Sequence, residues 1–257
     1  MVYLYKIVLK SIQSREATMN LILENWDETL YKNFLNHLKS FQDLGYKKFH
    51  EGLVPGKDNI IGIRSPISKQ IGKEIAKGNW RSFLDVSKSD FYEEIFIRGI
   101  VIGLAKTEYD EFIYLVDNYL DYIDNWAICD GFSCGLKQSK KFSEPFFNHI
   151  QGFLTSKNPW HIRTGIIIML SHYLDSLHIN EVIALCDSVH DEEYYVRMGQ
   201  AWLLSVCYIK FPEQTLEYLL NNSTLDNWTY NKSISKITES RRVVPEIKEY
   251  LKTLKRR

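Results

Sequence analysis

Asp130 stands four residues after Trp126, one helical turn along the same face, and is the one carboxylate in a set of equivalent places: Phe96, Asp130, Thr164, Met198 and Lys232. A carboxylate there is either solvated near a helix N-terminus, where the dipole favours aspartate, or kept for a purpose. The places one residue earlier, Ile95, Cys129, Arg163, Arg197 and Asn231, hold two arginines in succession. With Lys232 and Lys236 following, these make a ladder of cations suited to tracking phosphates along a groove. The alternative is that the arginines form ion pairs between neighbouring repeats. Trp202 lies eight residues after Tyr194, two turns along, and a tryptophan so placed more often fills a core than a site.

These places are equivalent because five aromatic residues, Tyr92, Trp126, Trp160, Tyr194 and Trp228, fall on a 34-residue beat. Each opens a stretch with helical apolar spacing, the signature of stacked helical repeats. One repeat cannot bury its own apolar face, so neighbours stack, and a stack of helix pairs curves into an extended binding surface. The first helix of each pair is expected over Glu111 to Tyr122, Pro145 to Leu154, Glu181 to Ser188 and Glu213 to Leu220, and the second begins at or near the beat aromatic. Turn residues separate them at Ser156 to Pro159, His190 to Glu192 and Asn221 to Thr224. Pro159 and Pro212 sit where a first helical turn tolerates proline. Before the beat, Trp26 to Phe41 reads as an amphipathic helix, Gly52 to Asn59 as a loop, and Ser65 and Pro66 as the N-cap and first residue of a further helix. No alternation with hairpin punctuation appears, so the expected fold is all-α, a right-handed superhelical solenoid of antiparallel helix pairs.

With 257 residues and 45% hydrophobic side chains, the chain can bury a substantial core within one domain. Its 32 basic and 32 acidic residues cancel, so no global field announces a nucleic-acid or membrane partner. The middle, from Arg81 to Asp130, is acidic and the stretch from Lys232 onward is basic. Cys129, Cys134, Cys186 and Cys207 form no CxxC pair and no zinc spacing, which points to free thiols and a cytoplasmic location. No metal constellation can be assembled, and no metal or cofactor is expected. The segment Gly56-Lys57 lacks the upstream glycine and the Ser or Thr of a phosphate loop, so no nucleotide cofactor is expected either. The N-terminal apolar run is broken by Lys6 and Lys10 and is too short to span a bilayer. Residues 1–18 read as an extension, with Met19 a candidate start, and 19–257 as a single repeat domain.

Several segments in order resemble the AlkD-like DNA alkylation repair proteins, all-α solenoids of HEAT-like repeats. They are Tyr46-Lys47-Lys48-Phe49 with Leu53 and Pro55, Gly62-Ile63-Arg64-Ser65-Pro66, Asn125-Trp126-x-x-x-Asp130, Trp160-x-x-Arg163, Val196-Arg197-x-x-x-Ala201-Trp202, and Asn231-Lys232-x-x-x-Lys236-Ile237-x-Glu239-Ser240. The resemblance implies hydrolysis of the N-glycosidic bond of cationic alkylated purines, N3-alkyladenine and N7-alkylguanine, without base flipping. It implies a catalytic set of Asp130, Trp126, Trp202 and Arg163, and a DNA-binding groove that includes Arg163, Arg197, Lys232, Lys236 and Arg64. It further implies a monomer acting on double-stranded DNA. The residue types fit that chemistry. A cationic purine is already a good leaving group, so what remains is to stabilise an oxocarbenium and present a water, both of which an ionised Asp130 would do. Trp126 and Trp202 would offer electron-rich faces to the cationic sugar and lesion, and Arg163 would clamp the neighbouring phosphate. The chain departs from the family pattern at Ala127, where several members have Asp, and at Ile162, where a second arginine is frequent.

Two other readings share these features. One is a solenoid that binds damaged or branched DNA without cleaving a bond. The other is a protein-interaction scaffold of tetratricopeptide type, which fits the period but wants Leu-Gly where this chain has Cys129-Asp130, Arg163-Thr164 and Arg197-Met198.

Overall fold

A computed structural model describes residues 19–221 and 223–257, and the extension expected at 1–18 lies outside them. All regular structure among the described residues is helical. The chain divides into two compact units after Val101.

The first unit contains α1 (Glu28–Lys39), α2 (Leu44–Leu53), α3 (Ser65–Ile75), α4 (Trp80–Val86) and most of α5 (Tyr92–Leu104). The helix read over Trp26 to Phe41 is shorter at both ends: Asp27 caps its start, accepting the Leu30 N–H at 2.8 Å, and it ends at Lys39 with Ser40 as C-cap. Trp26 instead turns inward, edge-on to Phe34 and Phe83 at 5.6 and 5.2 Å. The N-cap of α3 is Arg64, not Ser65: Arg64 is extended at φ −60°, ψ 133°, and Ser65 is already helical. The Ser65 hydroxyl lies 3.2 Å from the Tyr46 hydroxyl, which takes it away from capping.

Two adjacent buried glutamates hold this unit together. Glu93 accepts the backbone N–H groups of Ile61 (2.8 Å), Gly62 (2.8 Å) and Ile63 (3.0 Å), which leaves its charge solvated by the chain. The tight approach requires glycine at 62: φ is +100°, and a Cβ there would fall 2.7 Å from the Lys47 Cβ. Glu94 takes a short hydrogen bond from the Tyr31 hydroxyl and accepts the Phe91 N–H at 2.8 Å.

The second unit continues with α6 (Tyr109–Leu120), α7 (Trp126–Gly135), α8 (Ser143–Gln151), α9 (Pro159–His172), α10 (Ile179–Asp187), α11 (Tyr194–Lys210), α12 (Pro212–Asn221), α13 (Asn227–Glu239) and α14 (Pro245–Thr253), with short 3-10 turns at Lys137–Lys140 and Gly152–Thr155. The second helices start at or next to the beat aromatics, and for three of them side-chain capping is the physical reason. Asn125 accepts the N–H groups of Ala127 and Ile128, Asn158 that of Trp160, and Asp226 those of Trp228 and Thr229. The helix predicted over Pro145 to Leu154 is broken into α8 and a 3-10 turn that begins at Gly152.

Each second helix packs on the next, α7 on α9, α9 on α11 and α11 on α13, and the first helices α8, α10 and α12 pack beside them. This is the packing of a helical-repeat solenoid. The most buried member is α9, in which Ile162 to Met169 are all buried, so it lies covered around its whole circumference. It brings Arg163 into that interior.

Candidate functional site

Asp130 and Arg163 meet between α7 and α9. Arg163 donates its Nε–H to Asp130 Oδ1 at 3.0 Å and an Nη2–H to Oδ2 at 2.9 Å, a two-pronged pair that matches the planar fork to the planar carboxylate. It donates an Nη1–H to the Tyr195 carbonyl at 2.5 Å. All three guanidinium nitrogens are thus engaged inside the protein, and the side chains are only 6% (Arg163) and 17% (Asp130) exposed. The place expected of Arg163, beside a DNA phosphate, differs from where its guanidinium lies, because the buried helix and the carboxylate of the previous repeat draw it inward.

The surroundings decide the state of the carboxylate. Burial pushes the Asp130 carboxyl above the ordinary aspartate value, while the hydrogen bonds and charge of Arg163 pull the other way. A neighbouring pair repeats the crossing: Cys129 Sγ lies 3.4 Å from Thr164 Oγ1, so residues 129 and 130 of one repeat face 164 and 163 of the next. Burial pushes the Cys129 thiol up to about 12, which leaves it an inert packing group. The ring of Trp160, one turn before Arg163, packs against that of Tyr195 at 5.1 Å.

The remaining expected residues surround this centre to different degrees. Trp126 is the first residue of α7, part-buried, and one turn from Asp130. Trp202 lies part-buried on α11, one turn beyond Gly199, and a Cβ at Gly199 would meet Arg163 Nη1 at 3.4 Å. α11 thus passes beside the Arg163 side chain at Gly199.

Arg197 is ion-paired as well, in the opposite sense along the chain. It forms a short hydrogen bond to Asp226 Oδ1, donates to Thr229 Oγ1 at 3.2 Å, and stacks over the Trp228 ring at 4.8 Å. Burial pushes Asp226 up, but hydrogen bonds from Arg197 and Thr229 and the Arg197 charge outweigh it and bring the carboxyl to about 2. Pairing between repeats is thus what both arginines do. Lys232 and Lys236 are part-buried on α13. Arg64 belongs to the first unit, where it holds Asp43 Oδ2 with Nε (3.0 Å) and Nη2 (2.7 Å) and lies over the Tyr46 ring.

Sequence reasoning missed Asp226 and Tyr195. Asp226 had a signal, since it stands two residues before a beat aromatic just as Asn158 does. Tyr195 had none, because its part is played by a main-chain carbonyl.

Chemically, the arrangement is a mostly buried carboxylate held by a guanidinium fork, with the Cys129 side chain as a further hydrogen-bond partner. A carboxylate so held can face a developing cation or accept a hydrogen bond from water. All four cysteines are free. Compared with known families, residues 34–237 match the model of the family described as DNA alkylation repair enzyme. A comparison with curated proteins finds no match.

Proposed function

Since the chain belongs to the family of DNA alkylation repair enzymes, we propose that it is a DNA N-glycosylase that hydrolyses the glycosidic bond of cationic alkylated purines in duplex DNA. The observation that carries this reading is the Asp130–Arg163 pair, with part-buried Trp126 one turn away and Trp202 on the helix that packs against Arg163.

The chemistry follows from the charges. An N3-alkyladenine or N7-alkylguanine carries its positive charge on the ring, so it departs as a neutral base without being protonated. As the C1′–N bond stretches, the sugar acquires that positive charge. Asp130 supplies the opposing charge in a setting with little water to screen it, and a remaining lone pair orients the water that adds to C1′. Because burial alone would favour the neutral acid, Arg163 acts here as the residue that keeps Asp130 ionised and fixes its plane. Trp126 and Trp202 offer π-faces to the same cation. Selectivity for charged lesions then comes from how easily the base leaves, and no pocket that reads the base is needed.

The test is release of 7-methylguanine and 3-methyladenine from methylated duplex DNA by the wild type and by Asp130→Asn, with DNA binding measured alongside. The expected result is release by the wild type and a loss of about a hundredfold or more in the variant, with binding unchanged. A wild type that binds methylated duplex but releases no base would instead support the non-catalytic DNA-binding reading, in which the pair only joins two repeats.

A further inference from the structure

A row of aromatic rings leads away from the Asp130–Arg163 pair along the starts of the second helices of three successive repeats. It begins at Trp160 on α9, whose ring meets Tyr195 at 5.1 Å. Tyr195 meets Tyr194 at 5.3 Å, and Tyr194 meets Trp228, at the start of α13, at 5.9 Å. The row is more buried at its Trp160 end. Trp160 and Tyr195 are part-buried, whereas Tyr194 is 55% and Trp228 38% exposed. Tyr194 and Trp228 thus present aromatic surface to water beside the half-exposed Arg197–Asp226 pair.

Cations border the exposed end. Arg197 stacks on Trp228 while paired with Asp226, and Lys232 and Lys236 follow Trp228 at four-residue intervals, so these last three lie along one face of α13. The exposed acids Glu192 and Glu193 precede Tyr194, so the cationic border is one-sided. Exposed rings continued by lysines along one helix face make the pattern that a single nucleic-acid strand satisfies, with its bases against the aromatics and its phosphates against the lysines. Paired bases cannot reach such rings, because their faces are already covered by their neighbours in the duplex.

We propose that the row Trp160, Tyr195, Tyr194 and Trp228 is a second nucleic-acid site, which takes unpaired DNA bases flanking the position held at Asp130. The inference rests on the reading that DNA is the substrate, and it adds a strand-separated segment to what the protein engages. The row's stacking is sequence-tolerant, since every base presents a π-face.

The experiment is binding of a short fluorescein-labelled oligothymidylate, followed by anisotropy across a salt series. The proteins are the wild type, Tyr194→Leu with Trp228→Leu, and Lys232→Ala with Lys236→Ala, each checked for an unchanged thermal melt. Leucine keeps apolar bulk and removes the ring, so the aromatic variant should lose affinity by about ten- to a hundredfold with its salt dependence intact. The lysine variant should reduce the slope of log affinity against log salt by roughly 0.7 for each phosphate contact removed. Equal affinity for the aromatic variant and the wild type, or no binding of the oligothymidylate by the wild type, would overturn the proposal. Base release measured on the same preparations separates the two readings. Stacking without release would sink the glycosylase alone, and release without single-strand binding would sink the second site alone.

Discussion

Arg163 and Arg197 occupy the same place in consecutive repeats, yet they reach in opposite directions. Arg163 turns back to Asp130 of the preceding repeat, and Arg197 turns forward to Asp226 of the following one. The first pair is 6% and 17% exposed, the second 23% and 46%. Their carboxyl groups respond oppositely: Asp130 is raised because burial dominates, and Asp226 falls to about 2 because its hydrogen bonds and the Arg197 charge outweigh a smaller burial. One repeat position therefore yields two electrostatic environments, and depth separates them. A water-poor carboxylate exerts a strong field on a nearby cation, while a half-exposed one is screened.

The sharpest way to break this contrast is to remove each arginine. Arg163→Ala leaves a buried carboxylate without its partner and should cost about 3–5 kcal/mol, whereas Arg197→Ala should cost about 1 kcal/mol or less. Denaturant unfolding of the two variants measures the difference, and equal losses would mean that depth does not separate the pairs. Neutralising the carboxylates comes next. Asp226→Asn keeps a good N-cap and should change base release by less than about twofold, against the large loss expected of Asp130→Asn. A matching loss in single-turnover release by both would show that the second pair, too, serves the reaction.

Acid titration sharpens the comparison further. Asp130 must be ionised to act, so base release should decline as the pH falls through a value above that of an ordinary aspartate. For stability the sign reverses. A raised carboxyl binds its proton more readily folded than unfolded, so its contribution declines as pH rises through that value. Asp226, held near 2, contributes stability that is complete above its ordinary 3.8 and is lost as the pH falls through about 2. Because that side chain is nearly half exposed, this effect should stay below about 1 kcal/mol. Salt gives the smallest effect: raising ionic strength should weaken the Arg197–Asp226 coupling in a double-mutant cycle and leave the Arg163–Asp130 coupling nearly unchanged.

Much of the fold was legible because its signals are local. Three of the second helices begin at the beat since Asn125, Asn158 and Asp226 cap them a residue or two before Trp126, Trp160 and Trp228. Where a cap competes with another partner, as Ser65 does with Tyr46, the boundary moves by one residue. Asp130 stood out as the one charge of its sign in its series. The direction each arginine takes was not legible, because it depends on how deeply the neighbouring helices bury it, and α9 is covered all round while the start of α13 is not. Nor could spacing reveal a ligand made of main chain, such as the Tyr195 carbonyl.

In stacked repeats, stability is approximately a sum of single-repeat terms and nearest-neighbour couplings, so such chains tend to fray from one end. The Arg163 side chain adds a coupling of longer range, because one guanidinium holds residues 130, 163 and 195 at once. Unfolding either flanking helix strands part of a buried charge, so the three should melt as a block. Amide hydrogen exchange would register this as one shared opening free energy for α7, α9 and the start of α11, where an uncoupled array would show a staircase.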